Sequence, residues 1–340
     1  MKNACLFLLT VVLVLISCTA WAQTPASPIE LKYADWSPPH MGIAKINQKM
    51  FDMIMEKSQG RIKITTYFAE TLLKNPEMFR GIQSGAADIG QWVVGTTGSA
   101  EKLMTVMRLP FQAITSTEMG TEVFQKFFRT TPELISEYKG IELFGLRQMP
   151  AYHVHTVKKL ARTPADLKGM KLIAASGWVD YAKAVGAAPV TMGVGDYYLS
   201  LERGLVEGVF LHFPASLMFK TLDVTKYHTL VTSSSIPDAI IFNKERWDSL
   251  PPDLQKIFRE AIEWRTAAIL KDDYREEERA IEYAKKRGNT FYTPTPDELK
   301  LWRESAAPLH ETWIARYEKE GLPARKVFEK LSQIINEYKK

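Results

Sequence analysis

Between Ile29 and Phe68 the hydrophobic period changes twice, and that switch limits the possible folds more than any other stretch. Ile29, Leu31 and Tyr33 alternate with Glu30 and Lys32, which predicts a strand running to about Trp36. Ser37-Pro38-Pro39-His40 breaks it, and Ile43, Ile46, Met50, Phe51 and Ile54 then recur at helical spacing up to Gly60, a natural helix C-cap. Ile62, Ile64, Thr66 and Phe68 alternate again. The start is therefore β-α-β.

The alternation continues downstream. A helix is expected at about 76–84, a strand at 87–92, a helix at 116–128 and a strand at 141–148. Helices and short strands trading places favour an α/β architecture over a bundle or a sandwich. From Pro252 the pattern changes. Leu254, Ile257, Phe258, Ala261, Ile262, Ala268 and Ile269 form one helical stripe, and nothing interrupts the helix before Gly288. So long a helix in an α/β protein usually bridges two lobes or braces one, and its acidic-basic run at 272–288 reads as a solvated face.

The N-terminus is a leader. Lys2 is followed by an apolar run from Leu6 to Ile16 and by a small-x-small site at Ala20-Trp21-Ala22, the pattern of a cleaved signal peptide over residues 1–22. Leu15-Ile16-Ser17-Cys18 also fits lipoprotein processing, which would tether the chain through Cys18. Both readings send it to the periplasm. Cys5 and Cys18 are the only cysteines, so a chain cleaved after Ala22 has no disulfide and no cysteine metal site. With 46% hydrophobic and 24% charged residues, disordered and collagen-like classes drop out, and 340 residues suffice for two cores. The net charge of +5 is spread among interleaved acids and bases, which argues against a nucleic-acid partner.

No catalytic set emerges. Ser99-Ala100-Glu101-Lys102 has the Ser-x-x-Lys spacing of serine acyltransferases, but the companion Lys-Thr-Gly is missing. A secreted hydrolase using Ser99 and Lys102 is the enzyme alternative. His153 and His155 would share a strand face without a third ligand at metal spacing, so neither a metal nor a cofactor is expected.

The stretch 164–213 is more informative. Lys171 to Ala174 reads as a short strand, Ser176-Gly177 as a turn, and Trp178, Tyr181, Ala182 and Val185 as a helix. A strand at Pro189–Met192 follows, then a helix capped by Asp196, then a strand at 208–213. Strand ends and helix starts that converge on one crevice make a solute site.

Over nearly the whole chain these segments resemble the solute-binding proteins of tripartite ATP-independent periplasmic (TRAP) transporters, dicarboxylate-binding type. The resemblance rests on Leu31-Lys32-Tyr33-Ala34, Gly60-Arg61-Ile62-Lys63-Ile64, Ser84-Gly85-Ala86-Ala87-Asp88-Ile89-Gly90, Leu109-Pro110-Phe111, Thr163-Pro164-Ala165-Asp166-Leu167-Lys168-Gly169-Met170-Lys171, Gly186-Ala187-Ala188-Pro189-Val190, Gly204-Leu205-Val206-Glu207-Gly208 and Asn243-Lys244-Glu245-Arg246-Trp247. It implies a two-lobed periplasmic-binding-protein-like fold: residues 28–150 plus about 236–270 in one lobe, 151–235 plus about 271–340 in the other. It also implies a receptor that captures a small molecule and passes it to a membrane permease, and the chain is expected to be mostly a monomer.

The resemblance further implies an arginine two residues after Lys171, forming a bidentate pair with the ligand carboxylate. Ile173 stands there. The family's second arginine aligns with His153, and a later asparagine falls near Leu211 or His212. Either another cation takes over, with Arg147 and Arg80 as candidates, or the ligand is not a simple dicarboxylate. Trp36, His40, Trp92, Tyr152, Ser176, Trp178, Phe210 and Phe213 complete the expected site as an aromatic, flat-walled pocket with a few polar contacts. The expected ligand is a monocarboxylate with an aromatic or apolar body; the alternative is the same fold binding a neutral polar solute or acting as a sensing receptor.

Overall fold

The computed structural model describes residues 27–95, 101–175, 177–233 and 236–338. The chain opens with β1 (Ile29–Ala34), α1 (Gly42–Lys57), β2 (Ile62–Tyr67), α2 (Met78–Gln83) and β3 (Ile89–Val93). It continues with α3 (Thr117–Thr130), α4 (Pro132–Glu137) and β4 (Ile141–Gln148). A second series follows: β5 (Tyr152–Thr156), β6 (Lys171–Ile173), α5 (Gly177–Ala184), β7 (Ala188–Val190), α6 (Tyr197–Glu202), β8 (Gly208–Leu211), α7 (Phe213–Met218) and β9 (Tyr227–Ser233). The chain then returns through β10 (Pro237–Asn243), α8 (Lys244–Asp248), α9 (Pro252–Lys286), β11 (Thr290–Tyr292), α10 (Pro296–Lys319) and α11 (Ala324–Glu337).

Two sheets result. One runs β2-β1-β3-β10-β4, the other β11-β9-β5-β8-β6-β7. β1 is parallel to β2 and β3, as the β-α-β start requires. β10 is antiparallel to both β3 and β4, because it re-enters the first sheet from the second. All seven residues of β10 are buried, so it has no polar alternation to betray it in the sequence.

Each sheet is covered on both faces. In the first lobe, α1 and α9 pack over Leu31, Tyr33, Ile240 and Phe242 on one side. Phe79, Trp92, Phe124 and Phe127 fill the other. In the second lobe Leu172, Trp178, Tyr181 and Trp302 form the larger core, while Phe213, Leu222, Ala280 and Ala284 close the α9 side.

Two helices serve both lobes. α9 has 35 residues and, at 1.5 Å per residue, is about 52 Å long. Its first half packs on α1 and β4, its second on α7. α10 places Trp302 and Ala306 in the second-lobe core and Trp313, Ile314 and Tyr317 in the first-lobe core. Pro308 stands between those two sets, where its missing N–H interrupts the helical ladder.

Several expectations change. α11 packs Val327, Leu331, Ile334 and Ile335 into the first-lobe core, so the C-terminal part of 271–340 does not go with the second lobe. α1 ends at Lys57 with Ser58 as its C-cap, and Gly60 (φ 76°) serves the turn into β2 instead. Asp196 precedes α6 without a side-chain cap bond. The acidic-basic run of α9 is not wholly solvated, since Asp273 and Glu277, one helical turn apart, point inward.

Candidate functional site

β5 is the first strand after the chain leaves the first sheet, and strand alternation splits its side chains. Tyr152 and Val154 face the α5 side, whereas His153 and His155 face α9. Tyr152 stacks on Trp178 at 5.6 Å and 18°, and Trp178 stacks on Phe210 at 4.7 Å and 23°. His212 meets the edge of Tyr152 at 5.6 Å. Four predicted site residues from β5, α5, β8 and the start of α7 therefore converge beside the lobe crossing. Trp178 lies face to face between Tyr152 and Phe210, and the three largely buried rings form an aromatic stack with the His212 edge beside it.

His212 caps α7: its Nδ1 accepts the Ala215 N–H at 3.2 Å, which leaves the proton on Nε2. Burial, then the Arg147 and His153 charges, push its pKa down to about 3. A second neutral set lies behind it. His155 Nε2–H donates to the Leu211 carbonyl at 3.0 Å, so its Nδ1 accepts from His228 Nδ1–H at 2.8 Å. His228 Nε2 in turn accepts from the Asn289 amide at 3.0 Å. Burial holds His155 well below the ordinary histidine range and pushes His228 down to about 4. These imidazoles pack around Phe213, and no group of His, Cys, Asp and Glu among the described residues is arranged to hold a metal ion.

Arg147 is not a free cation. Its Nε lies 2.8 Å from Asp238 Oδ1, its Nη2 donates to Asp238 Oδ2 at 2.9 Å, and its Nη1 donates to Asp273 at 2.5 Å. Two carboxylates share one buried guanidinium, so this arginine fastens β4 to β10 and α9. Burial outweighs the arginine for Asp273 and raises it to about 7.

Other predicted residues lie elsewhere. Trp92 is fully buried in the first-lobe core, its ring 5.9 Å from Phe79 and 5.7 Å from Tyr138, because β3 is a central strand covered on both faces. Phe213 is also core: β8 ends at Leu211, and the residue after His212 opens α7 and stacks on Phe291. Neither joins the stack of Tyr152, Trp178 and Phe210. Ile173 is 1% exposed, in register with Val190 and Val209, within the second-lobe core. His153 sets Nδ1 3.4 Å from the Thr232 N–H and Nε2 4.0 Å from Glu277. Trp36 is half-buried, its buried Nε1 making no hydrogen bond among the described residues, while His40 is exposed just before α1. Arg80 is exposed on α2. Ser176 and Ser99 lie outside the described residues, but Lys102 is paired with Glu320 at 2.7 Å, which raises its pKa and leaves no neutral amine to act as a base.

A segment that the sequence marked only by Leu109-Pro110-Phe111 enters the second lobe from the first. Phe111, at φ 59°, sits in the second-lobe core against Trp178, Tyr181 and Trp302. Its N–H donates to Ser233 Oγ at 3.0 Å, and the Pro110 carbonyl accepts from His310 Nε2 at 2.9 Å. Arg108, three residues earlier, is half-buried. Leu109-Pro110-Phe111 was the visible signal, but nothing in the sequence tells where the arginine before it goes. A separate groove of 580 Å³ between α3, β4 and α9 contains none of the expected site residues.

The family model for bacterial extracellular solute-binding proteins, family 7, matches residues 35–317. The C4-dicarboxylate-binding periplasmic protein of Rhodobacter capsulatus is 26% identical over 319 residues, covering 88% of this chain and 91% of its own. A TRAP solute-binding protein from Rhodoferax ferrireducens, solved with copurified benzoate, superposes with a TM-score of 0.78 at 22% identity, over 92% of this chain and 98% of that one. A marine metagenome TRAP protein described as specific for aromatic acids, solved with 3-hydroxybenzoate, gives 0.80 at 23% identity, over 93% and 100%.

Proposed function

We infer the function from one premise: this chain belongs to the bacterial extracellular solute-binding proteins of family 7. It is a solute receptor and not an enzyme. As a proposal, its solute is a monocarboxylate with an aromatic or apolar body, taken up where the lobes meet and handed to an ion-coupled TRAP permease. The receptor works as an exported monomer, its leader removed.

The observation that carries this reading is the stack of Tyr152, Trp178 and Phe210 with the His212 edge beside it. An aromatic stack beside the lobe crossing favours a flat or apolar ligand body, and with Ile173 and His153 at the two positions where the family resemblance implies arginines, a dicarboxylate would lack both of its usual cations. The benzoate and 3-hydroxybenzoate in two structural relatives have that chemistry.

Thermal shift of the ligand-stripped protein tests it. Benzoate, 3-hydroxybenzoate and phenylacetate should stabilise, by about 4 kcal/mol at a thousandfold excess over Kd. Succinate should not. Stabilisation by neutral solutes alone would replace this reading with the neutral-ligand one. Uptake in vesicles reconstituted with the cognate permease separates delivery from a purely sensing role.

A further inference from the structure

A carboxylate taken out of water needs a cation or several donors, and position 173 supplies neither. The arginines near the lobe junction differ in how their charge is used. Arg147 is matched by Asp238 and Asp273. Arg265 is fully buried and gives Nε to Asn47 at 2.6 Å and Nη2 to Gln91 at 2.5 Å.

Arg108 differs from both. It ends the 3-10 turn at Leu103–Arg108, and its Nη1 donates to a neutral group, the Gly95 carbonyl, at 2.5 Å. It forms no ion pair among the described residues, and its Nε and Nη2 make no hydrogen bond there. Glu101 is within electrostatic reach, but that carboxylate is fully buried and accepts the Gly95 N–H at 2.9 and 3.1 Å.

The surroundings are shaped for this side chain. Gly95 has φ 77°, and a Cβ there would collide with Arg108 Nη1, so glycine keeps the guanidinium's path open. A Cβ on Gly177 would come within 3.0 Å of the Arg108 carbonyl, which sets residue 108 against the first turn of α5, next to Trp178. The Tyr152 hydroxyl has no hydrogen bond among the described residues, and the Arg108 charge counteracts the burial that raises its phenol to about 12.

We propose that Arg108 is the cation that binds the ligand carboxylate, in place of a side chain at 173, with the Tyr152 hydroxyl donating beside it. The inference rests on the acid-receptor reading above. Its consequence is geometric: the acid group is held from the first lobe while the ligand body lies beside the second-lobe aromatic stack, so a bound carboxylate ties the lobes together.

The test is calorimetric titration of wild type, Arg108→Gln, Arg108→Lys and Gly95→Ala with benzoate, 3-hydroxybenzoate and phenylacetate, each paired with its amide. Arg108→Gln should weaken the tightest acid about 30- to 100-fold, as expected for a charge-assisted pair, and change its amide by less than about threefold. Arg108→Lys should recover part of the loss. Gly95→Ala keeps the charge but displaces it, and should lower acid preference in the same direction. Equal losses for acid and amide, or none for either, would overturn the inference while leaving the receptor reading intact. A wild type that binds amides and no acid would remove both.

Discussion

Phe111 of the first lobe and Trp302 of α10 stack in the second-lobe core with ring centroids 6.2 Å apart and an interplanar angle of 29°. One lobe thus donates an aromatic side chain to the other's interior, at a residue whose φ of 59° is costly for anything but glycine. Phe111→Ala should lower stability by about 3–5 kcal/mol in urea unfolding. Phe111→Gly removes the same ring but relaxes the backbone, and should be no less stable than the alanine variant. A glycine variant clearly worse than alanine would mean that the left-handed conformation costs little here.

Arg147 provides the second prediction. Arg147→Met leaves Asp238 and Asp273 buried without their cation and should cost about 3–5 kcal/mol. Adding Asp238→Asn should restore part of that. A variant of unchanged stability that had lost only ligand affinity would return Arg147 to the ligand site.

Position 173 is a third. Ile173→Arg puts a guanidinium among Leu172, Val190 and Val209, so the unliganded melting temperature should fall by several degrees. Succinate should recover part of the loss by pairing with the new charge. If it does not, residue 173 is outside the site.

The buried histidines set the acid limb of stability. Their folded pKa values lie below the ordinary value near 6.5, so their contribution is present above that pH and is lost as pH falls toward 4. Each contributes a slope of up to about 1.4 kcal/mol per pH unit in that window. Asp273 opposes them: raised to about 7, it contributes stability below its unfolded pKa near 4, lost as pH rises through 7. Urea midpoints at pH 7, 6 and 5 should therefore decline with acid, less steeply for His228→Asn and more steeply for Asp273→Asn. Parallel curves for all three proteins would reject the assignment.

Elements with a one-sided pattern were legible in the sequence. The β-α-β start, the strand at 141–148 and the run from Pro252 toward Gly288 all appear where periodicity put them. β10 was not, because a strand buried on both faces carries no alternation, and β11 is only three residues long. In the candidate site, Tyr152, Trp178, Phe210 and His212 come together because each stands next to a strand end or a helix start. Trp92 and Phe213 lie apart from them for one reason: an aromatic residue near a strand end reads the same whichever core it points into. Arg108 was invisible because its place depends on Gly95 and Gly177, which lie far apart in the sequence.

α10 has its N-terminal half in one core and its C-terminal half in the other, with Pro308 between them. For protein engineering this means that the lobes are not interchangeable cartridges. A chimera that took the second lobe from a relative at the strand crossings alone would import a core without Trp302 and Ala306 and leave the host helix facing foreign side chains. A workable graft has to carry the first half of α10 with it, and the seam belongs at Pro308, where the backbone ladder is already interrupted.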